Sequence, residues 1–548
     1  DEKHLEDAFY KDLEFGTGGM RGEIGVGTNR MNTYTVRKAS QGVADYVKAA
    51  GEEAMKKGIV IAYDSRRKSP EFAQEAASTF AKNGIQAYLY EEPRTTPQLS
   101  YSVRELGAFM GIVVTASHNP PEYNGYKVYG EDGAQLNIED AEAVIEYVQQ
   151  VGDELAIETG NTEEYLQNGL IQVIGHDLDK AYLERVASIQ HQQEFSGKDS
   201  LKVVFSPLHG ASGSTVRQLM KQTGYQNFMY VEDQMEPNGE FPTLKSPNPE
   251  EAGAFELAMK LGKETAADIL ITADPDGDRV GLAVRQGEDY VLLTGNQTGA
   301  ILIEYLLTQL KEKGQMPANG RVFKTIVTSD LGRVIAEYHG SSTEDVLTGF
   351  KFIGEKIKQY TESKEYTFLF GYEESYGYLI QPFVRDKDAI QSVLAITEAA
   401  AFYKMQGKTL LDVLHDLFER HGYYFEGLVS ITKKGADGAR AIQSLLTNLR
   451  NQPLVEVAGI AISSQEDYLK QTRSFTDGRK DENLTLPKSD VLKYFLADGS
   501  WVCVRPSGTE PKIKYYIGVM DPSEAESKEK LNTIKSQFTA EMEKRFSL

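Results

Sequence analysis

Gly58-Ile59-Val60-Ile61-Ala62-Tyr63 and Gly111-Ile112-Val113-Val114-Thr115 are short apolar runs rich in β-branched residues. Each reads as a buried strand. Between them, residues 70–83 carry apolar side chains at helical spacing, and 85–90 form another strand-like run. Strands alternating with amphipathic helices predict an α/β unit on a largely parallel sheet. The strand over 111–115 leaves through Ala116-Ser117-His118-Asn119-Pro120-Pro121. Such a loop lies beyond a strand's carboxyl end, where α/β sheets collect their ligands.

The same order returns twice. Strands over 201–205, 227–231 and 269–271, with helices near Val216 and over 250–265, lead into Thr272-Ala273-Asp274-Pro275-Asp276-Gly277-Asp278-Arg279. A helix over 299–310, a strand over 321–328, helices around Val334 and Ile357 and the run Thr367-Phe368-Leu369-Phe370 lead into Gly371-Tyr372-Glu373-Glu374-Ser375-Tyr376-Gly377. Three strands thus deliver three polar loops, a weak internal repeat of element order. After about Tyr424 the pattern changes. Strand-like runs at 428–432, 500–504 and 512–517 and an Ala/Leu-rich helix over 442–449 predict a smaller α+β domain. The boundaries read as 1–190, 191–298, 299–423 and 424–548.

The chain has 548 residues, with 59 Lys plus Arg against 81 Asp plus Glu and a formal charge of −22. Several domains are needed at that length. The acidic balance argues against a general nucleic-acid binder or a protein held on anionic membrane by charge. No run approaches the length of a membrane span, and Asp1-Glu2-Lys3-His4 lacks the basic-then-apolar order of a secretory signal. One cysteine, Cys503, allows no intrachain disulfide, so the expected compartment is the cytoplasm. No obligate protein partner is implied. Residues 137–165 hold nine acids and no Lys or Arg, yet Ile138, Ala141, Val144, Ile145 and Val148 fall at helical spacing. The first part therefore reads as a helix with a solvated acidic face.

Each loop has a chemical and a structural reading. Asp274, Asp276 and Asp278 can surround a divalent cation with oxygen, or build a turn from Asp-Pro and Asp-Gly. An EF-hand is excluded by Arg279 and Arg285 at the loop's sixth and twelfth positions. Ser117 beside His118 suits either a Ser/Asn/Pro turn or a phosphorylated serine; it is not Gly-x-Ser-x-Gly. Arg505-Pro506-Ser507-Gly508-Thr509-Glu510-Pro511-Lys512-Ile513-Lys514 is equipped for a phosphate dianion or for an ordinary hairpin. Gly16-Thr17-Gly18-Gly19-Met20-Arg21-Gly22 fits no nucleotide-binding glycine pattern. Gly407-Lys408-Thr409 fails as a P-loop because Phe402 stands at the upstream glycine position. Glu373, Glu374 and Ser375, between Tyr372 and Tyr376, suit a sugar or a solvated turn.

Together and in this order, Thr115 to Pro120 with Asn124-Gly125-Tyr126-Lys127, Asp274 to Arg279, Gly371 to Gly377 and Arg505 to Thr509 resemble the α-D-phosphohexomutase family, most closely its long phosphoglucomutase branch. The resemblance covers nearly the whole chain. It implies three related α/β domains and a C-terminal domain around a central cleft. It further implies that Ser117 is phosphorylated and that Asp274, Asp276 and Asp278 bind Mg²⁺ with its phosphate. Glu373, Ser375 and Gly349 would meet the sugar. Arg505, Ser507, Gly508, Thr509 and Lys514 would hold the non-reacting phosphate. Arg279 and Arg21 match basic positions near the serine.

The implied reaction moves phosphate between O1 and O6 of a hexose, glucose first, through glucose 1,6-bisphosphate. It needs in-line geometry, charge neutralisation and exclusion of water more than new covalent machinery. Tyr376-Gly377-Tyr378 lacks the histidine that some relatives carry there, so Lys387, with His118 and Lys127, is left for acid/base work. Asp386 and Asp388 tend to raise the Lys387 pKa. The competing readings are a phosphomannomutase or phosphopentomutase of the same family, an aspartyl-phosphate enzyme using Asp274, and a non-enzymatic sensor of phosphorylated sugars. The substrates are anions, so the acidic charge belongs on the outer surface and the cleft is expected to be locally positive.

Overall fold

Every side chain of Ile59–Tyr63 and Met110–Val114 is buried, which requires strands inside a sheet covered on both faces. The computed structural model describes residues 2–16, 18–433, 435–507 and 512–546 and supplies that cover. Ile59, Ile61, Ile112 and Val114 pack with Val36 and Val43 of the helix Thr33–Ala50, Phe72 and Phe80 of Ser69–Lys82, and Val144 of Ile138–Gln150. On the opposite face, Val60, Ala62 and Val113 pack with Leu99 and Val103 of Thr96–Leu106.

The sheet order is Met20–Glu23, Tyr123–Gly130, Met110–Val114, Ile59–Tyr63, Ala87–Tyr90, Ile171–Ile174. The last four run parallel, while Tyr123–Gly130 is antiparallel to both neighbours. The expected parallel core is present, with antiparallel strands added at one side. In the second sheet, Phe228–Tyr230, Val203–Ser206 and Ile269–Ala273 are parallel, followed by antiparallel Val280–Gln286 and Asp289–Leu293. The third pairs Gly320–Thr325 in parallel with Thr367–Glu373, which then pairs antiparallel with Gly377–Leu379.

This repeats one device. In each sheet the parallel strand before a candidate loop returns immediately as an antiparallel neighbour, so the loop is a hairpin turn at the strand's carboxyl end. Two expected elements differ. The helix read over 250–265 begins as a 3-10 turn, Ala252–Phe255, before Glu256–Thr265; Asn248 Oδ1 accepts from Glu250 N and holds the entry as a turn. The strand read over 321–328 stops at Thr325, whose N–H is taken by Thr328 Oγ1 at 3.2 Å.

The fourth sheet is antiparallel, with Tyr423–Thr432, Lys512–Asp521, Trp501–Pro506 and Leu492–Leu496 in succession. Its core joins Leu446 and Leu449 of Gly435–Asn451 and Phe538 and Met542 of Glu524–Phe546 to Leu492, Val502 and Ile517. The chain divides into two compact units. The larger comprises 1–324, 339–344 and 349–413; the smaller comprises 325–338, 345–348 and 414–548. Among the described residues no helix is long and apolar enough to cross a membrane.

In the larger unit, Asp388 caps the helix Ala389–Met405 by accepting from the Ile390 and Gln391 N–H groups, and Tyr182 donates to both its oxygens at 2.8 and 2.9 Å. Burial pushes its carboxyl up to about 6 against those hydrogen bonds. The folded state therefore holds this proton more tightly than the unfolded chain. Stability from this group is full below the unfolded pKa and is lost as pH rises through about 6, by up to about 3 kcal/mol. Urea unfolding at a series of pH values should show Asp388→Asn gaining on the wild type between about pH 4 and 7. An unchanged difference across that window would contradict the assignment.

Candidate active site

Ser117 sits in the turn between Met110–Val114 and Tyr123–Gly130 with φ of 52°, in the left-handed region. That conformation is costly for a non-glycine residue, so its surroundings must hold it. Ser117 N donates to Thr115 Oγ1 at 2.8 Å, and Thr115 Oγ1 donates to Asp64 Oδ2 at 2.5 Å. Arg66, 1% exposed, pairs with Asp64 and donates to the carbonyls of Ser117, Asn119, Pro120 and Tyr123. One guanidinium thus satisfies the turn's inward carbonyls. The neighbouring strand must approach closely here: a Cβ at Gly125 would lie 2.5 Å from Thr115 O.

The second turn brings three aspartates under the serine. Ser117 Oγ donates to Asp274 Oδ2 at 2.7 Å, while Asp274 Oδ1 accepts from the N–H groups of Asp278 and Arg279. Asp276 Oδ2 accepts from Thr96 Oγ1 at 2.9 Å and Lys127 Nζ at 2.8 Å. Asp274, Asp276 and Asp278 are buried, with one oxygen of each within 4.8 Å of the others. Burial and the two neighbouring carboxylates push Asp274 well up. Asp276 is also opposed by burial, but Lys127, the hydrogen bond with Asp274 and Thr96 hold it below the carboxylate range. Asp276 Oδ1 and Asp278 Oδ1 are buried without hydrogen-bond partners. Two orphaned oxygens in a hard-oxygen cluster fit a divalent cation.

Two lysines reach this cluster. Lys127 Nζ lies 3.7 Å from Asp278 Oδ2, in addition to its contact with Asp276, and Lys387 Nζ lies 3.3 Å from Asp278 Oδ2 and Asp386 Oδ1. Burial lowers both lysine pKa values, but the carboxylates more than offset it and both end raised. They are cations. His118 Nδ1 is 3.3 Å from Ser117 Oγ, and burial followed by Arg279 and Arg21 pushes its pKa well down, so the ring is neutral. Arg21 donates to Asn119 Oδ1 at 3.2 Å.

The third turn docks on the second, since Val280 N donates to Tyr376 O at 2.9 Å and Arg279 Nη1 to Ser375 O at 3.2 Å. Arg279 also pairs with Glu250 at 2.8 Å and keeps a buried Nε without a hydrogen-bond partner. Glu373 accepts from Gly349 N at 2.9 Å, and burial raises its pKa. The structure therefore groups Ser117, His118, Lys127, Arg21, the three aspartates, Arg279, Gly349, Glu373, Ser375 and Lys387 within the larger unit.

In the smaller unit, Arg505 and Lys514 are cross-strand partners, and Ser507 N donates to Lys512 O at 2.7 Å. Gly508 and Thr509 lie outside the described residues. Asp64, Arg66, Thr96 and Glu250 are participants the motifs did not single out, while Asp386 raises the Lys387 pKa as expected. Asp64-Ser65-Arg66 had a usable signal, an acid and a base just beyond the strand Ile59–Tyr63.

The chain belongs to the phosphoglucomutase/phosphomannomutase family: its α/β/α domains I, II and III match residues 12–154, 180–287 and 294–421, and its C-terminal domain matches 449–540. A phosphoglucomutase of Staphylococcus aureus (strain MRSA252) is 37% identical over 529 residues, covering 96% of this chain and 93% of the relative. Among solved structures, a Thermus thermophilus protein superposes with a TM-score of 0.71 at 20% identity, covering 97% of this chain and 99% of the other. The open form of Paramecium pp63/parafusin, a phosphoglucomutase, gives 0.69 at 16% identity, covering 98% and 95%. These structural likenesses establish the fold.

Arg66→Met would strip Asp64 of its buried counter-charge and remove the guanidinium from four turn carbonyls, of which Pro120 O keeps the Tyr123 N–H at 3.1 Å. A loss of about 3–5 kcal/mol in urea unfolding is expected, with partial recovery in Arg66→Lys, which restores charge without the planar fork. An unchanged urea midpoint would refute the clamp.

Proposed function

We propose that this chain is a phosphoglucomutase interconverting glucose 1-phosphate and glucose 6-phosphate through phosphoserine at Ser117 and a glucose 1,6-bisphosphate intermediate. The observation that carries this reading is the Ser117 hydroxyl, held in a strained turn and hydrogen-bonded at 2.7 Å to the aspartate cluster. The 37% identity to a phosphoglucomutase over 96% of the chain supports the choice of sugar. We assign the four domains to 1–190, 191–298, 299–423 and 424–548, and the compartment to the cytoplasm.

Asp274, Asp276 and Asp278, with a phosphate on Ser117, would hold Mg²⁺, which when bound neutralises phosphoryl charge. In the forward half-reaction the bond from phosphorus to Ser117 Oγ breaks as one to the sugar hydroxyl oxygen forms. The sugar releases its hydroxyl proton and Ser117 Oγ regains one. Neutral His118, with Nδ1 3.3 Å from that oxygen, can hydrogen-bond it as the proton returns. The bisphosphate then turns round, and its other phosphate returns to Ser117.

Lys127 and Lys387, as cations beside the aspartates, place positive charge where the phosphoryl group moves. Arg279, whose Nε lies 4.0 Å from Asp278 Oδ1 and makes no hydrogen bond, and Arg21, through the Asn119 side of the turn, add further charge. Glu373, Ser375 and Gly349 are assigned to the sugar hydroxyls. Arg505, Ser507, Gly508, Thr509 and Lys514 are assigned as a phosphate-binding group.

Phosphopeptide mapping of the purified protein should find phosphate on Ser117, and Ser117→Ala should lower turnover on the order of 10³-fold or more. Phosphate on Asp274 instead, or undiminished turnover by the alanine variant, would sink the mechanism. Turnover of glucose, mannose and ribose 1-phosphates in parallel tests the sugar. Rapid reaction of ribose 1-phosphate with none of glucose 1-phosphate would keep the chemistry and overturn the substrate.

A further inference from the structure

Lys387 occupies the aspartate cluster, yet its own segment belongs to the third α/β domain. Its stem crosses Gly377, where a Cβ would lie 2.0 Å from Lys387 Cδ, and Nζ lies 5.6 Å from the Phe350 ring centroid. These contacts open a channel for the side chain. They do not fix where along it the ammonium stops.

Three hydroxyls of the first domain fasten this segment. Ser100 Oγ accepts from Arg385 N at 2.9 Å, Tyr129 OH donates to Asp386 Oδ2 at 2.7 Å, and Tyr182 OH donates to both Asp388 oxygens. The middle contact reaches Lys387 most directly. Asp386 spends its other oxygen on Lys387, accepting from the backbone N–H at 2.7 Å and Nζ at 3.3 Å. Tyr129 thus orients the carboxylate that orients the ammonium.

The strand geometry explains why a tyrosine can do this. Side chains two residues apart in a strand share a face, so Tyr123–Gly130 presents Lys127 and Tyr129 together, one to Asp276 and the other to Asp386. The Tyr129 ring is anchored in the apolar cluster with Leu99, Val103 and Val113. Only its hydroxyl reaches out of that cluster. A rigid body with a polar tip holds a partner at little conformational cost.

We propose that Tyr129 is a positioning residue for the phosphoryl-transfer centre, acting through the Asp386 carboxylate to hold the Lys387 ammonium on Asp278. The proposal rests on the reading of Lys387 as part of that centre. It assigns no proton transfer to Tyr129, which touches neither substrate nor the aspartate cluster.

Tyr129→Phe removes the hydroxyl and keeps the packed ring. It should lower kcat about tenfold, the scale of losing an outer partner of a catalytic group, with KM for glucose 1-phosphate little changed and the urea midpoint lowered by the loss of one hydrogen bond to a buried carboxylate. In a Lys387→Met background the same substitution should have no further effect, because the group it positions is gone. A crystal structure of Tyr129→Phe should show Lys387 Nζ displaced from Asp278. Wild-type kcat in the phenylalanine variant, equal losses in both backgrounds, or an unmoved Lys387 would overturn the proposal. If the wild-type enzyme does not convert glucose 1-phosphate, the substrate reading fails on its own, while the crystal structure still decides whether Tyr129 places Lys387.

Discussion

Asp274, Asp276 and Asp278 stand within 4.8 Å of one another in a buried turn, where each ionised pair would repel by about 3–4 kcal/mol at an effective dielectric of about 20. Much of the surrounding structure answers that repulsion. Lys127 comes from the strand Tyr123–Gly130, Lys387 from the segment before Ala389–Met405, and Thr96 from the start of Thr96–Leu106. Even so, Asp276 Oδ1 and Asp278 Oδ1 remain without hydrogen-bond partners. The two lysines cannot be replaced by neutral residues without leaving buried charge uncompensated.

The same constraint explains the net charge. At −22 the chain as a whole repels anions, but its acids are distributed unevenly. The helix Ile138–Gln150 carries acids on exposed positions. Around Ser117 the buried acids are matched by Arg21, Arg66, Lys127, Arg279 and Lys387. Long-range repulsion and local attraction thus act at different distances on an incoming phosphate.

The parallel strands were legible because full burial leaves continuous apolar runs such as Ile112-Val113-Val114 and Ile269-Leu270-Ile271. The antiparallel returns were not. Tyr123–Gly130 contains Asn124 and two glycines, and Gly125 is there to let Thr115 O approach rather than to break the strand. Glu524–Phe546 is charged on most sides and buries only Ser527, Ile534, Phe538 and Met542, so no broad apolar stripe announces it. In the site, the residues in polar turns stood out. Arg66 and Tyr129 did not, because their importance comes from contacts 51 to 57 and 257 positions away, respectively.

The backbone at Ser117 makes two chemically similar hydroxyls unequal. Serine and threonine both accept phosphoryl groups, but a β-branched side chain at positive φ is a steric outlier. With φ of 52° imposed by Thr115, Asp64 and Arg66, the turn admits serine and penalises threonine whatever the reactivity of the oxygen. The identity of the phosphate carrier is therefore dictated by the main chain beneath it.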